Sequence, residues 1–116
     1  QGHSQAQLNL AVLYDEGISV PKDNELALQW YQLAAEQGNA SAQLNLGINY
    51  WKGEGTDQKY EKAWNLLNHV RMTAPDEELK WRARSTLDKI KGELGVSGRF
   101  GRFSYPSWDK IVDLRN

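Results

Sequence analysis

Two histidines, His3 and His69, are the only imidazoles in the 116-residue chain, and cysteine is absent. His69 falls on the same stretch as Glu61 and Asn65, but no second strong ligand stands at metal spacing, so no metal site is expected. Without cysteine there is no zinc finger, thiol catalysis or disulfide framework, and the redox compartment stays open. Carboxylates occur as neighbours, Asp15-Glu16 and Glu77-Glu78. Adjacent residues on a helix point in different directions, so these pairs read as capping and surface charges rather than as a general acid and base. Serines and threonines lack a partnered histidine, and the glycines fall at helix ends rather than in a phosphate-cradling loop. Catalytic residues, cofactor-binding residues and metal ligands are therefore all expected to be none. Asn39-Ala40-Ser41 fits the glycosylation acceptor pattern, which matters only in a eukaryotic secreted protein.

Binding chemistry is a different matter. Residues 99–103, RFGRF, alternate cation and ring, a superficial likeness to nucleic-acid-binding sequence. Two such steps are too few, and with a sequence pI near 6.1 no nucleic-acid partner is expected. Arg99, Phe100, Arg102, Phe103, Tyr105 and Trp108 are instead candidate tail contacts: the rings pack onto the last helices or fill a groove, and the arginines meet acids of the N-terminal half. Charge is unevenly spread: residues 1–58 hold two cations against seven anions, residues 59–116 twelve against eight. Such polarity either reflects ordinary solvated faces or steers a charged partner toward one end, an attraction screened over roughly 8 Å at physiological salt.

The elements that carry these residues repeat. Shifting the chain by 36 residues places Gly2 on Gly38, the run Ala6-Gln7-Leu8-Asn9-Leu10 on residues 42–46, Tyr14 on Tyr50, Gly17 on Gly53 and Ala27 on Ala63. A period of this length marks a helical solenoid, in which a unit buries its apolar face only by stacking on a neighbour. Ala6, Leu10, Leu13 and Tyr14 recur at three- and four-residue steps, predicting a helix from Ser4, its cap, to about Glu16 with that face inward. Gly17 ends it, Pro21 prevents its continuation, and Asp23 or Asn24 caps a second helix to about Gln37. Ala27, Trp30, Tyr31, Ala34 and Ala35 there alternate small residues with rings, as close helix packing requires. After Gly38 and Asn39 a third helix repeats the first, with Ala42, Leu46, Ile48 or Asn49, and Tyr50 toward the core and Gly47 at a helix contact. Gly53 and Gly55 end it. Short connections make each unit an antiparallel hairpin.

The pattern Ala6, Leu10, Tyr14, Gly17, Val20, Asp23, Ala27, Trp30, Tyr31, Ala34, Ala35 and Gly38, restarting at Ala42, Leu46, Gly47, Tyr50, Gly53 and Gly55, resembles the Sel1-like repeat, a relative of the tetratricopeptide repeat. The resemblance implies an all-α fold, a right-handed superhelix of antiparallel helix pairs, acting as a noncatalytic scaffold or adaptor whose partner is another protein or peptide. In such superhelices the face beside the core stripe lines the concave surface. Here that face carries Gln5, Asn9, Val12 and Glu16 in the first unit and Ser41, Asn45, Ile48 and Lys52 in the second, with Asn49 beside them. Asn9 and Asn45, one repeat apart, either pair with the backbone of an extended peptide or tie adjacent helices together.

The second unit departs from the pattern. Its return helix, about Lys59 to Met72, keeps Ala63 and gains Trp64, Leu66, Leu67 and Val70, while Val70-Arg71 replaces the alanine pair, so the next helix should stack at a changed distance. That helix starts near residues 73–76, runs to Leu94 and sets Leu79, Ala83, Leu87, Ile90 and Leu94 on one stripe, with Lys80, Arg82, Arg84, Asp88 and Lys91 elsewhere. It reads as the cap that closes an array. Repeats of about 2–37 and 38–73 and a capping helix of about 75–94 thus form a solenoid over 1–94. Residues 95–116 form an aromatic extension packed on it, an ordered stretch to Tyr105 and then a short helix.

QGHSQAQ at the start matches the interior sequence QGNASAQ from Gln37, which predicts that Gln1 is not the natural beginning. No apolar run reaches the roughly 18 to 20 residues of a membrane span, so no membrane insertion is expected. The alternatives to an adaptor are an inhibitor or immunity-type protein for one toxin or enzyme and, behind it, a hydrolase of cell-wall or antibiotic-like substrates. The bacterial periplasm or envelope is slightly favoured over the cytoplasm.

Overall fold

Side-chain oxygens open three of the helices. Asp23 accepts from the Leu26 amide at 3.1 Å, Asn39 from Ala42 at 3.0 Å and Asp76 from Glu78 at 2.8 Å, each satisfying a donor that a helix start leaves unpaired. The computed structural model describes residues 2–115, so the expectation about Gln1 lies outside them. The helices are α1 (Gly2–Glu16), α2 (Asn24–Glu36), α3 (Ala40–Lys52), α4 (Tyr60–Thr73), α5 (Glu77–Leu94) and α6 (Trp108–Arg115), with a 3-10 turn at Ser97–Arg99. No strand occurs among the described residues. Ser4 is not the cap expected of it. The helix already runs from Gly2, and Ser4 is a buried interior residue whose hydroxyl receives the Asn39 amide at 3.5 Å.

α1 packs on α2, α3 on α4, and α3 also lies against α2 and α5. Both hairpins turn in the same way: the Asp23 amide donates to the Tyr14 carbonyl at 2.9 Å, and 36 residues on the Lys59 amide donates to Tyr50 at 2.8 Å. Two glycines allow close approach, one within the second unit and one between the units. A Cβ on Gly47 would stand 3.0 Å from Leu67 Cγ, so α3 and α4 touch there. Gly55, at φ +80°, brings the second hairpin loop against the first unit, where a Cβ would come within 2.3 Å of the Asn24 carbonyl oxygen.

The core runs along the stack through Ala27, Tyr31, Leu44, Ala63, Trp64, Leu67, Val70, Leu87 and Ile90. Tyr31, 2% exposed, donates its hydroxyl to Asp15 at 3.0 Å and ties α2 to α1; burial, then the Asp15 carboxylate, raises its pKa. The inward face expected of α1 needs correction. Ser4, Leu8 and Ala11 are buried, whereas Ala6 is exposed and Leu10, Leu13 and Tyr14 are half-buried. α1 packs on α2, whereas α3, which carries the same run, lies against α2, α4 and α5 and buries Ala42, Leu46 and Tyr50.

On α5 the stripe is as expected, with Ala83, Leu87 and Ile90 fully buried and Leu79 and Leu94 half-buried. Lys91 is the exception: it is 3% exposed, because the C-terminal segment covers it. Its ammonium donates to the Ser104 carbonyl at 3.3 Å, lies 5.0 Å from the Tyr105 ring and pairs with Asp88 at 3.7 Å. Val96, Tyr105 and Ile111 join the core.

Candidate functional site

Three surfaces gather the residues singled out by sequence. The first lies between α3 and α5. Ile48 and Lys52 of the expected groove line a cavity of about 310 Å³ there, together with Trp51, Trp81, Arg82, Ser85, Thr86 and Lys89. Trp81 is 63% exposed, and Lys52, Arg82 and Lys89 are exposed around it. No carboxylate lines this cavity. Trp51 is held in place from below: its indole N–H donates to Glu93 Oε1 at 2.8 Å, and the Tyr60 hydroxyl donates to the same oxygen at 3.0 Å. Desolvation, then that bond to Glu93, raises the Tyr60 pKa.

The remaining expected groove residues behave differently. Gln5, Asn9 and Glu16 are exposed on α1, Val12 is half-buried, and none of the four borders the α3–α5 cavity. Gln5 donates to Asn9 Oδ1 at 3.2 Å, one helical turn away, so Asn9 is engaged on its own helix. Asn45 is half-buried. Asn49 does not line a groove: it is 3% exposed, turned into the core between helices. Trp51 and Trp81 were not among the expected site residues. The signal was present, since Trp81 stands between Lys80 and Arg82 and off the stripe of Leu79, Ala83 and Leu87, where a large ring has no core to fill.

The second surface is the groove between α2 and α4, floored by α3, a cavity of about 500 Å³ bordered by Gln32, Ala35, Leu46, Tyr50, Lys62 and Asn65 among others. The third is its counterpart one unit on, already filled by the chain itself. Trp64 Nε1 donates to the Pro106 carbonyl at 2.8 Å and Asn68 Nδ2 to the Tyr105 carbonyl at 3.3 Å. The Arg71 guanidinium, fixed by two bonds to Asn68 Oδ1 at 2.9 and 2.7 Å, sits 4.9 Å above the Tyr105 ring. Burial, with Asp88 close by, raises the Tyr105 pKa, and Arg84 opposes it.

The tail residues thus divide. Tyr105 is buried, Phe100 and Trp108 are half-buried, and Phe103 is 63% exposed beneath the Arg84 guanidinium at 5.3 Å. Among the described residues, neither Arg99 nor Arg102 pairs with an acid of the N-terminal half. Arg99 bonds the Leu114 carbonyl, and Arg102 lies over Phe103 at 5.4 Å; each is engaged within the extension, which turns back on itself before it could cross to α1. His3 and His69 are both exposed, and no group of three or more metal-capable side chains forms among the described residues.

Antiparallel helix pairs repeating at 36 residues, closed by a helix and a folded-back extension, define an α-helical repeat scaffold. The Sel1 repeat model matches residues 4–39 and 40–68, more than half of the chain, and the chain belongs to that family. It is 40% identical over 62 residues to a putative sel1-like repeat-containing protein of Acanthamoeba polyphaga mimivirus, covering 53% of this chain and 11% of that protein. It is also 39% identical over 66 residues to a chitin synthase regulator of Saccharomyces cerevisiae, covering 55% of this chain and 10% of the regulator. The chain therefore spans about a tenth of the length of these relatives. Among solved structures, a Sel1 repeat protein from Oxalobacter formigenes superposes with a TM-score of 0.61 at 37% identity, over 67% of this chain and 23% of that one. A protective antigen present in uropathogenic Escherichia coli strains, displaying an SLR fold, superposes at 0.68 with 30% identity, over 78% and 18%. Among the described residues no helix is long and apolar enough to cross a membrane.

Proposed function

We propose that the chain is a noncatalytic protein-binding module whose α3–α5 face holds an acidic segment of a partner that carries an apolar or aromatic anchor. The observation that carries this reading is Trp81, 63% exposed beside Ile48 and Trp51 in a cavity whose charged lining is Lys52, Arg82 and Lys89, while Glu77 and Glu78 border a separate cavity on which Trp81 also opens. A tryptophan left in water at this position costs the free protein apolar exposure and gains it back only when covered. Tryptophan and arginine are the residue types that most often dominate binding energy at interfaces. Basic side chains around an apolar centre reject cationic partners and steer acidic ones. Membership of a repeat family built to present surface rather than chemistry agrees with it.

The test compares proteins retained from a native lysate by the wild-type chain, by Trp81→Ala and by Met72→Ala, an equally exposed apolar control on α4. Partners bound through the face are lost with Trp81→Ala, their affinity falling by about 2 kcal/mol or more, and kept with Met72→Ala. Binding weakens as salt rises, and the three melting curves coincide. Retention indifferent to Trp81→Ala and to salt overturns the assignment of this face.

A further inference from the structure

We propose that the open groove between α2 and α4 is a second peptide-binding site, one that takes an extended segment centred on a tyrosine, held as the chain holds its own residues 104–106. The ground for this is the repeat itself. Gln32 and Ala35 border the open groove, and Asn68 and Arg71, 36 residues later, are the side chains that grip Tyr105. The same two positions of the unit therefore face an empty cavity in one copy and a bound extended segment in the other.

What each copy offers is alike in its amide, ammonium and apolar wall, and the open groove adds the Glu36 carboxylate where the second unit has Met72. In the filled site an amide from the return helix donates to a backbone carbonyl, and an ammonium from the neighbouring helix stands 5.0 Å from the ring. In the open groove Gln32 supplies the amide, now donating to the Tyr50 hydroxyl at 3.0 Å, and is free to exchange that bond for a peptide carbonyl of equal quality. An ammonium comes here from Lys62, on the α4 wall rather than on the helix that follows the return helix as in the filled site, and stands 5.5 Å over the Tyr50 ring; Asn65 adds an exposed amide at the rim. Leu46 and Leu66 give the apolar wall against which a ring is desolvated. The decisive difference is Ala35 in place of Arg71: the short side chain leaves vacant the space that Arg71 fills in the other copy. A groove of about 500 Å³ accommodates one ring and the backbone on either side of it. This site stands apart from the α3–α5 face and does not rest on it.

The probe is an acetylated, amidated peptide with the sequence of residues 102–108, titrated into the intact, isotope-labelled chain and followed by amide chemical shifts. Saturable shifts at Gln32, Ala35, Leu46 and Asn65 are expected, and replacing the peptide's tyrosine, Tyr105→Ala, weakens binding at least tenfold. Ala35→Arg, which copies the second unit and fills the space, weakens it tenfold or more. Asn65→Arg at the exposed rim does the same without touching the core, so a folding defect in the first variant does not decide the result. Shifts confined to Trp64, Asn68 and Arg84, meaning that the peptide merely displaces the chain's own segment, overturn the proposal. So does an absence of shifts at millimolar peptide, or affinity unchanged in both variants.

Discussion

α1 and α3 carry the same run of five residues and live in different surroundings. Ala42, Leu46 and Tyr50 are 0%, 5% and 6% exposed on α3; Ala6, at the same place on α1, is exposed, and Leu10 and Tyr14 are only half-buried. The side chains are identical, so the difference comes from their surroundings: α3 lies against α2, α4 and α5, whereas α1 packs on α2. Burial in a repeat stack is thus a property of the neighbour as much as of the residue, which is what a nearest-neighbour account of such stacks requires. The hairpin loops tell the same story. Position 19 and position 55 both take a left-handed backbone, φ +66° at Ser19 and +80° at Gly55. The exposed loop tolerates a serine, but the loop wedged against Asn24 accepts only glycine.

The largest expected effect comes from making the far end of the stack resemble the near end. Deleting residues 96–116 removes Val96, Tyr105 and Ile111 from the core and uncovers Trp64 and Lys91. At roughly 1.5 to 3 kcal/mol for each large buried side chain, the loss is on the order of 5 kcal/mol, comparable to the whole stability of a small domain. Thermal melting of the truncated chain should shift down by well over ten degrees, by order of magnitude. An unchanged curve means that the extension is a detachable segment and that α5 needs no cover.

Next comes the pair Leu46→Ala and Leu10→Ala, the same substitution one repeat apart. Emptying a core position costs about 2 to 5 kcal/mol, and the half-covered Leu10 should cost less than about 1.5 kcal/mol, since less apolar area returns to water. Urea unfolding of the two variants measures the gap, and equal losses would break the comparison outright. Gly55→Ser is expected to cost about 2 kcal/mol or more, from the left-handed backbone and from the carbonyl 2.3 Å away. Ser19→Gly, its mirror image, should leave stability the same or raise it by up to about 1 kcal/mol.

Much of the stack was legible from residue types alone. Alanines that admit a neighbour, the rings between them, a cap at Asp23 or Asn24 and the Gly47 contact are set by local spacing, and local spacing survives folding. What escaped was decided by contact at a distance. Nothing in the step pattern of Ala6, Leu10 and Tyr14 says whether a helix lies on that face. Lys91 looked like surface because the segment that buries it comes 13 residues later and from another direction. Trp81 breaks the buried stripe of α5, and stripe periodicity says nothing about a ring that lies off it. Arg71 departs from the alanine pair, and the reason lies in the Tyr105 ring beneath it, 34 residues further along the chain.

The smallest expected effect concerns Asn49, and here the first unit supplies the remedy for the second. Asn49 is 3% exposed, and among the described residues its Nδ2 meets no hydrogen-bond acceptor. Its backbone carbonyl is well used, accepting from Gly53 at 2.8 Å and Glu54 at 3.0 Å, so the side chain alone carries the deficit. At the same place in the first unit stands Leu13, whose carbonyl accepts the corresponding Ile18 amide at 3.0 Å without any side-chain amide nearby on the same turn. Asn49→Leu removes a buried donor left without a partner, a defect worth about 1 to 3 kcal/mol, and replaces a poor helix former with a good one. Against this stands the strain of fitting a branched side chain into a packed core, so a net gain of about 1 kcal/mol is expected, read as a higher denaturant midpoint at unchanged slope. A lower midpoint would show that the second unit needs an amide where the first does with a methyl group, and the equivalence of the two cores would end at that residue.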